Sequence, residues 1–398
     1  MNFIKHTKNS NKDSGVYRKL THFNVSCKLF NLLSKKRKFQ LGLLFLLTLL
    51  SALSEVLILT LVVPFIVLIA DPEKIWDINF ITFLNKYFQI TEPQSFLFPI
   101  TLLFIISAIL VGTVRLLNLN LNIKFASKVG TEISVNTFRG IIFDSYENHL
   151  NRNSSEVISS LIAHIDVTVN VIIYLLNVLT SSIISLAIIL LLISLDANLA
   201  ISGAFVFGFC YLFIAFFSQD KVTSNSNLVA KNIRNSVLIT QESLDGIRDT
   251  ILNNLEIKYI NNFEKIDQKI RTARAENMFL AGFPRFSIES VGLVFLGIFA
   301  LIILRSNANS AYIISIIGGV GLGAQRLLPT MQQVYFSWTA AKSGFGSVDE
   351  VIKLLESTKN NQPRINNLKP IEFNKKIEFK DISFKYKENS NYILENIN

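Results

Sequence analysis

Only two cysteines occur in 398 residues, Cys27 in a basic leader and Cys210 inside an apolar run. That scarcity excludes a disulfide framework and a thiolate metal site, because either needs several sulfurs at close spacing. Histidine is nearly as scarce: His6, His22, His149 and His164 are the four, and none stands in an H-E-x-x-H or comparable ligand spacing. Acidic residues are also short, 29 against 39 basic ones, which leaves a formal charge of +10. Such an excess can mark a nucleic-acid surface, so its position along the chain decides its meaning. A cleaved signal peptide is not expected either, and the first apolar run reads as a retained membrane helix. The leader is too long, and the first apolar run exceeds the apolar core of about 7 to 15 residues that such a peptide has.

What is abundant is apolar sequence. Half of the residues are hydrophobic and the mean hydropathy is +0.40, which places the chain in the membrane class. Runs long enough to cross a hydrocarbon layer of about 30 Å recur, and six spans are predicted at about 39–70, 96–117, 167–195, 198–217, 280–304 and 311–340. The basic residues gather before the first span, at Lys5, Lys8, Lys12, Arg18, Lys19, Lys28 and the run Lys35, Lys36, Arg37, Lys38. By the positive-inside rule this end is cytoplasmic. The segment Asp71–Glu92 has only Lys74 and Lys86 against four acidic residues and reads as external. The charge therefore points to a multi-pass protein of the cell inner (plasma) membrane with membrane lipid around it, and to no nucleic-acid partner.

The connections are unequal. Asp196, Ala197 and Asn198 separate spans three and four, and Arg305–Ser310 separates five and six, whereas Asn118–Asp166 and Ser218–Met278 are long, polar and charged. The long connections keep a helical period, as in Ile247, Ile251, Leu255 and Tyr259 or Phe138, Ile141, Ile142 and Ser145, so helices are expected to continue below the membrane. They either contact a partner there or stand as solvated helical hairpins. Gly318–Gly323 lies inside an apolar span with no strand before it, and Gly319 and Gly323 have the small-xxx-small spacing of close helix packing. Four regions result: a basic N-terminal segment at 1–38, a transmembrane domain at 39–341, an amphipathic helix and a Pro/Asn-rich linker at 342–370, and the start of a strand-forming region at 371–398. In the last, Ile377, Phe379, Ile382 and Phe384 alternate with polar residues.

The stretch Ile377-Glu-Phe-Lys-Asp-Ile-Ser-Phe-Lys-Tyr386, followed by Tyr392-Ile-Leu-Glu-Asn-Ile-Asn398, resembles the opening strands of an ABC ATPase domain. Standing after six predicted spans and a linker, it identifies the chain as similar to an ABC exporter half-transporter over about residues 20–398. The fold class implied is an α-helical membrane protein: six long transmembrane helices with cytoplasmic helical extensions, then the first β-strands of an ATPase domain. The resemblance gives Tyr386 the role of stacking on adenine in an intact domain, a use suited to its flat π face. Without the family, Tyr386 is an ordinary strand aromatic. No G-x-x-x-x-G-K-[ST] occurs, nor a signature loop or a Walker B acidic residue, so the chain alone is expected neither to bind ATP and Mg productively nor to hydrolyse ATP. The resemblance places the phosphate loop beyond Asn398.

The same resemblance makes coupling loops of Tyr146, His149, Leu150 and Asn151 in the first long connection, and of Gln241, Glu242, Leu244, Asp245 and Gly246 in the second. It also implies a homodimer with swapped intracellular loops, and an ATPase domain supplied in cis or in trans. Ser54-Glu55, Pro284-Arg285 with Glu289, and Gln325-Arg326-Leu-Leu-Pro329 with Gln332, Gln333 and Tyr335 are similar to features of the lipid-linked oligosaccharide flippase branch. An ionisable residue inside a span is expensive and marks a functional position. Glu55 and Arg326 are therefore assigned to a substrate cavity, the alternative being that they pair with each other or with another helix. The cargo expected is amphipathic, a lipid or lipid-linked oligosaccharide. A peptide or drug exporter is the alternative, and a membrane receptor or anchor is the alternative of another class.

Overall fold

The computed structural model describes residues 25–70, 97–195, 197–305, 310–358, 373, 376–385 and 392–398. A short helix at 25–32 precedes α1 (Lys35–Ala70), α2 (Leu97–Ile142), α3 (Tyr146–Asn151) and α4 (Ser154–Ser159). A π-helical turn, Ser160–His164, joins α4 to α5 (Ile165–Leu195), which is followed by α6 (Ala197–Asp245), α7 (Ile247–Leu252), α8 (Glu256–Arg305) and α9 (Ser310–Thr358). Two strands, β1 (Ile382–Phe384) and β2 (Leu394–Ile397), pair antiparallel.

Among the described residues, three helices are long and apolar enough to cross a membrane: Lys35–Val62, Leu97–Ile142 and Ser154–Ser194. This makes the chain a helical membrane protein. The stretches predicted at 198–217, 280–304 and 311–340 lie on the helical backbones of α6, α8 and α9, but many of their side chains fall outside the described residues. α6 and α9 have 49 residues each and α8 has 50. At 1.5 Å per residue each is about 75 Å long, more than twice the hydrocarbon thickness of about 30 Å. Much of each helix must stand outside the membrane.

The α1–α2 pair shows how two apolar helices hold one register. Arg37 Nε donates to Glu132 Oε2 at 2.9 Å, Arg115 meets Glu55 at 2.6 Å, and the rings of Phe65 and Phe104 stack at 4.8 Å. From Arg37 to Glu55 the chain climbs eighteen residues while α2 descends seventeen from Glu132 to Arg115; to Phe65 and Phe104 it climbs ten more while α2 descends eleven. The three contacts therefore belong to one antiparallel alignment without slippage.

α9 is the central helix, packed along α5 and also against α6 and α8, while α1 and α2 lean on α5. Near its C-terminal half, Ala341, Phe345, Val348 and Ile352 bury against Val171 of α5 and against Val25 and Leu29 of the short first helix. Leu44, Phe125, Val129, Leu176 and Val351 form the adjoining core. Two glycines permit α9 to approach closely on two sides. A Cβ on Gly346 would lie 2.7 Å from the Ser226 carbonyl oxygen of α6, and one on Gly344 would lie 2.4 Å from the Val171 side chain of α5. Buried polar contacts tie α9 to its neighbours: Gly346 N–H donates to Ser226 Oγ at 2.8 Å, His164 Nδ1 meets Ser347 Oγ at 3.1 Å, and Ser185 Oγ donates to Thr330 Oγ1 at 2.8 Å.

In the C-terminal segment, the pairs Ile382/Ile397 and Phe384/Leu394 bracket an irregularity. Asn396 there has a φ of 48°, in the left-handed region that asparagine tolerates better than most residues. Ile377 and Phe379 were expected in a strand, but no ladder reaches them and both are exposed. β1 and β2 are also exposed throughout. A two-stranded hairpin is marginal alone, so further strands or a covering layer are needed to bury these side chains.

Candidate functional site

The first long connection is built around Asp144. Its carboxylate accepts from the Ser145 backbone N–H at 2.8 Å and from Asn148 Nδ2 at 2.6 Å, and it pairs with Arg152 at 3.0 Å. Ser145 caps α3 by accepting from the Asn148 N–H at 3.3 Å, and Asn153 caps α4 by accepting from the Ser155 N–H at 2.9 Å. Caps of this kind fix short helices that propensity alone would not hold. α3 consequently presents Tyr146, 74% exposed, with Leu150 and His149 also exposed. The side chain of Asn151 lies outside the described residues.

The second connection is the tip of the α6–α8 hairpin. α6 ends at Asp245, Gly246 breaks the run, and α7 crosses to Asn254, whose φ of 50° reverses the chain into α8. Gln241 is half-buried, while Glu242, Leu244 and Asp245 are exposed. With Ile247, Ile251 and Leu252 also exposed, the tip shows an apolar surface far from the helix centres. A cleft of about 220 Å³ opens nearby between Ile239, Thr240 and Ser243 of α6 and Tyr259, Ile260 and Phe263 of α8. The hairpin is clasped further up. Asn225 Nδ2 reaches Glu276 Oε2 at 2.9 Å and Asn277 Oδ1 at 3.1 Å, and Lys221 pairs with Glu276 at 3.1 Å.

The two connections meet where Arg234 of α6 pairs with Glu156 of α4 at 3.5 Å. Asp245 is eleven residues beyond Arg234, so the hairpin tip reaches about 16 Å past that brace. The first tip is thus held by capped helices and the second by the clasped α6–α8 hairpin, with the Arg234–Glu156 pair between them, while the outermost apolar side chains of both are exposed.

Glu55 is fully buried against α2 and ion-paired with Arg115. That contact joins α1 to α2. Arg115 was not singled out from the sequence. The signal was available, since a lone arginine in an apolar span needs an acid, but the α1–α2 register was needed to choose it. The side chain of Arg326 and the whole of Tyr386 lie outside the described residues. Among the described residues, no three His, Cys, Asp or Glu side chains are grouped as metal ligands.

Lys342 is a further buried charge that sequence reading passed over. Its Nζ donates to Gln219 Oε1 at 3.2 Å where α9 meets α6. Burial holds its pKa below the usual lysine value, and the nearby Asp220 opposes that shift. No family model matches the chain.

Proposed function

We propose that this chain is the transmembrane part of an ATP-driven ABC-type exporter that moves an amphipathic substrate, a lipid or lipid-linked oligosaccharide, across the inner membrane. The observation that supports this reading best is the pair of water-side tips. α2 and α6 run unbroken from apolar stretches into polar ones, and at or just beyond their ends Tyr146 and Leu150 of α3, Leu244 of α6, and Ile247 and Ile251 of α7 are all exposed on braced supports. Apolar side chains held rigidly outside the membrane suit docking to a partner that pushes and pulls on long helices. In this proposal the partner is an ATPase domain, in cis or in trans, which takes ATP and Mg. The exposed β1–β2 hairpin belongs to that layer, with Tyr386 against adenine once the domain is complete. A second copy of the chain completes the translocation path by exchanging its cytoplasmic loops.

The chain is reconstituted with an intact ATPase domain into proteoliposomes containing fluorescent phospholipid or a lipid-linked sugar. Movement that requires ATP and Mg, and that is lost in a Leu150→Ser/Leu244→Ser variant, is expected. Failure of every amphipathic cargo to move, with ATPase activity present, overturns the proposal.

A further inference from the structure

Cationic side chains collect at one end of the α1–α2 pair. α1 begins with Lys35, Lys36, Arg37 and Lys38, and α2 brings Lys124 and Lys128 to the same end. Glu132 is the sole acid of either helix in this region, and Arg37 occupies it at 2.9 Å. Lys35, Lys36, Lys124 and Lys128 are exposed, and no ion pair is recorded for any of them among the described residues. Lys38 instead lies over the Phe30 ring, 5.0 Å from its centroid.

Position on the helices adds to charge. Lys124 and Lys128 continue, at four-residue steps, the row that ends in Glu132, the residue that reaches α1. The register that joins Arg37 to Glu132 sets Lys128 level with Leu41 and Lys124 level with Phe45. The lysines therefore cover about 15 Å along the seam. They overlap the start of the span Lys35–Val62, where Phe39 is 71% and Leu43 52% exposed. Flexible lysine stems can lie along such apolar side chains with their ammonium groups at the membrane surface. Apolar side chains that acyl chains can lie along thus stand beside cations that have no ion pair among the described residues.

We propose that this basic end of the α1–α2 pair binds the phosphodiester headgroups of anionic phospholipid, with Lys35 and Lys36 contributed by α1 and Lys124 and Lys128 by α2. The site rests on α1 and α2 crossing the membrane and is independent of transport. Four ammonium groups spread over about 15 Å favour anionic headgroups over zwitterionic ones, whose own ammonium groups would be repelled. Juxtamembrane lysines attract anionic lipid by about fivefold in affinity each, and salt weakens that attraction.

The test is native mass spectrometry of the full chain in mild detergent, titrated with phosphatidylglycerol, phosphatidylcholine or inorganic phosphate. Phosphatidylglycerol should be retained over phosphatidylcholine, less so as salt rises. Lys35→Gln, Lys36→Gln, Lys124→Gln and Lys128→Gln should each lower its retention about fivefold. The matching arginine variants should keep it and also control for folding. Lys258→Gln/Lys265→Gln, beyond the predicted spans on α8, should change nothing. Equal retention of the two lipids, or phosphatidylglycerol retention indifferent to the four glutamines, overturns the site. Competition by millimolar inorganic phosphate as effective as by lipid makes it a free-anion site and overturns it too. A chain that binds the lipid through these lysines yet moves no cargo loses the exporter reading and keeps this one.

Discussion

Glu55 and Arg115 illustrate what a single ion pair must do in a hydrocarbon layer. Glu55 is buried, so removing Arg115 takes away a compensating charge, and breaking a buried ion pair costs about 3–5 kcal/mol. Arg115→Leu should therefore lower unfolding stability in detergent by about that amount. Glu55→Leu/Arg115→Leu should recover most of the loss, because an apolar pair of similar volume needs no charge balance. Denaturant unfolding of the three proteins checks this, and a double variant no better than the single one contradicts it. Gly346 has a different sensitivity. A valine there would press on the Ser226 carbonyl oxygen at the α6–α9 crossing, and overpacking of this kind costs about 1–3 kcal/mol. Gly42→Ala, with nothing within 4 Å of its Cβ, should leave the same melting curve unshifted or slightly raised. Lys342 adds a pH signature. Its folded pKa is depressed by burial, so above that value and below the ordinary lysine value the unfolded chain holds the proton and the folded chain does not. Stability from this group accordingly rises with pH through that window. Wild type minus Lys342→Met should slope upward in urea titrations as pH rises toward the ordinary lysine value of about 10.4, and a flat or falling difference contradicts the assignment.

Local elements differ in how far the sequence discloses them. α1, α2 and α5 were legible because an apolar run of about 20 residues has few other solutions in water or lipid. Their extensions were legible from the three-to-four spacing of apolar residues, and α2 indeed runs to Ile142 and α6 to Asp245. The π-helical turn Ser160–His164 was not, since it depends on how His164 settles against Ser347 of α9, 183 residues away. Ile377 and Phe379 mislead for the opposite reason: alternation describes a half-buried strand, and a strand forms only where a neighbour supplies the ladder. The first loop makes the testable case. Asp144 alone organises Ser145, Asn148 and Arg152. Asp144→Ala should raise hydrogen exchange across residues 145–153 at least about tenfold, corresponding to loss of roughly 1.4 kcal/mol of local stability, while exchange in α6 stays unchanged. Equal protection in the variant means that the helix caps suffice without the carboxylate.

At the scale of the molecule, α9 packs on both flanks, against α5 on one side and against the α6–α8 hairpin on another, while α4 and α5 also touch α6 directly. No local pattern in its sequence announces that role. The visible trace is a run of small residues among apolar ones, Ala341, Gly344, Gly346 and Ser347, which lets neighbours approach but does not say which neighbours. Site residues follow the same division. The two long connections were legible as helical segments because polar stretches between apolar runs are conspicuous, whereas Arg115 and Lys342 required a partner helix to give them meaning. The six-span proposal has a direct consequence for the whole chain. Residues separated by an even number of crossings must lie on one side of the membrane, so Cys27, Tyr146 and Leu244 share a side, and Asn307, after five crossings, faces the other. In a Cys210→Ser background, native Cys27 reports the first position. Tyr146→Cys and Leu244→Cys, each combined with Cys27→Ser, should react with an impermeant maleimide from the same face as Cys27, and Asn307→Cys from the opposite one. Leu244→Cys labelling opposite to Cys27 would mean an odd number of crossings between them. With Tyr146→Cys still labelled from the face of Cys27, the exposed tips of α3 and α7 would then stand on different sides, where no single ATPase layer could engage both.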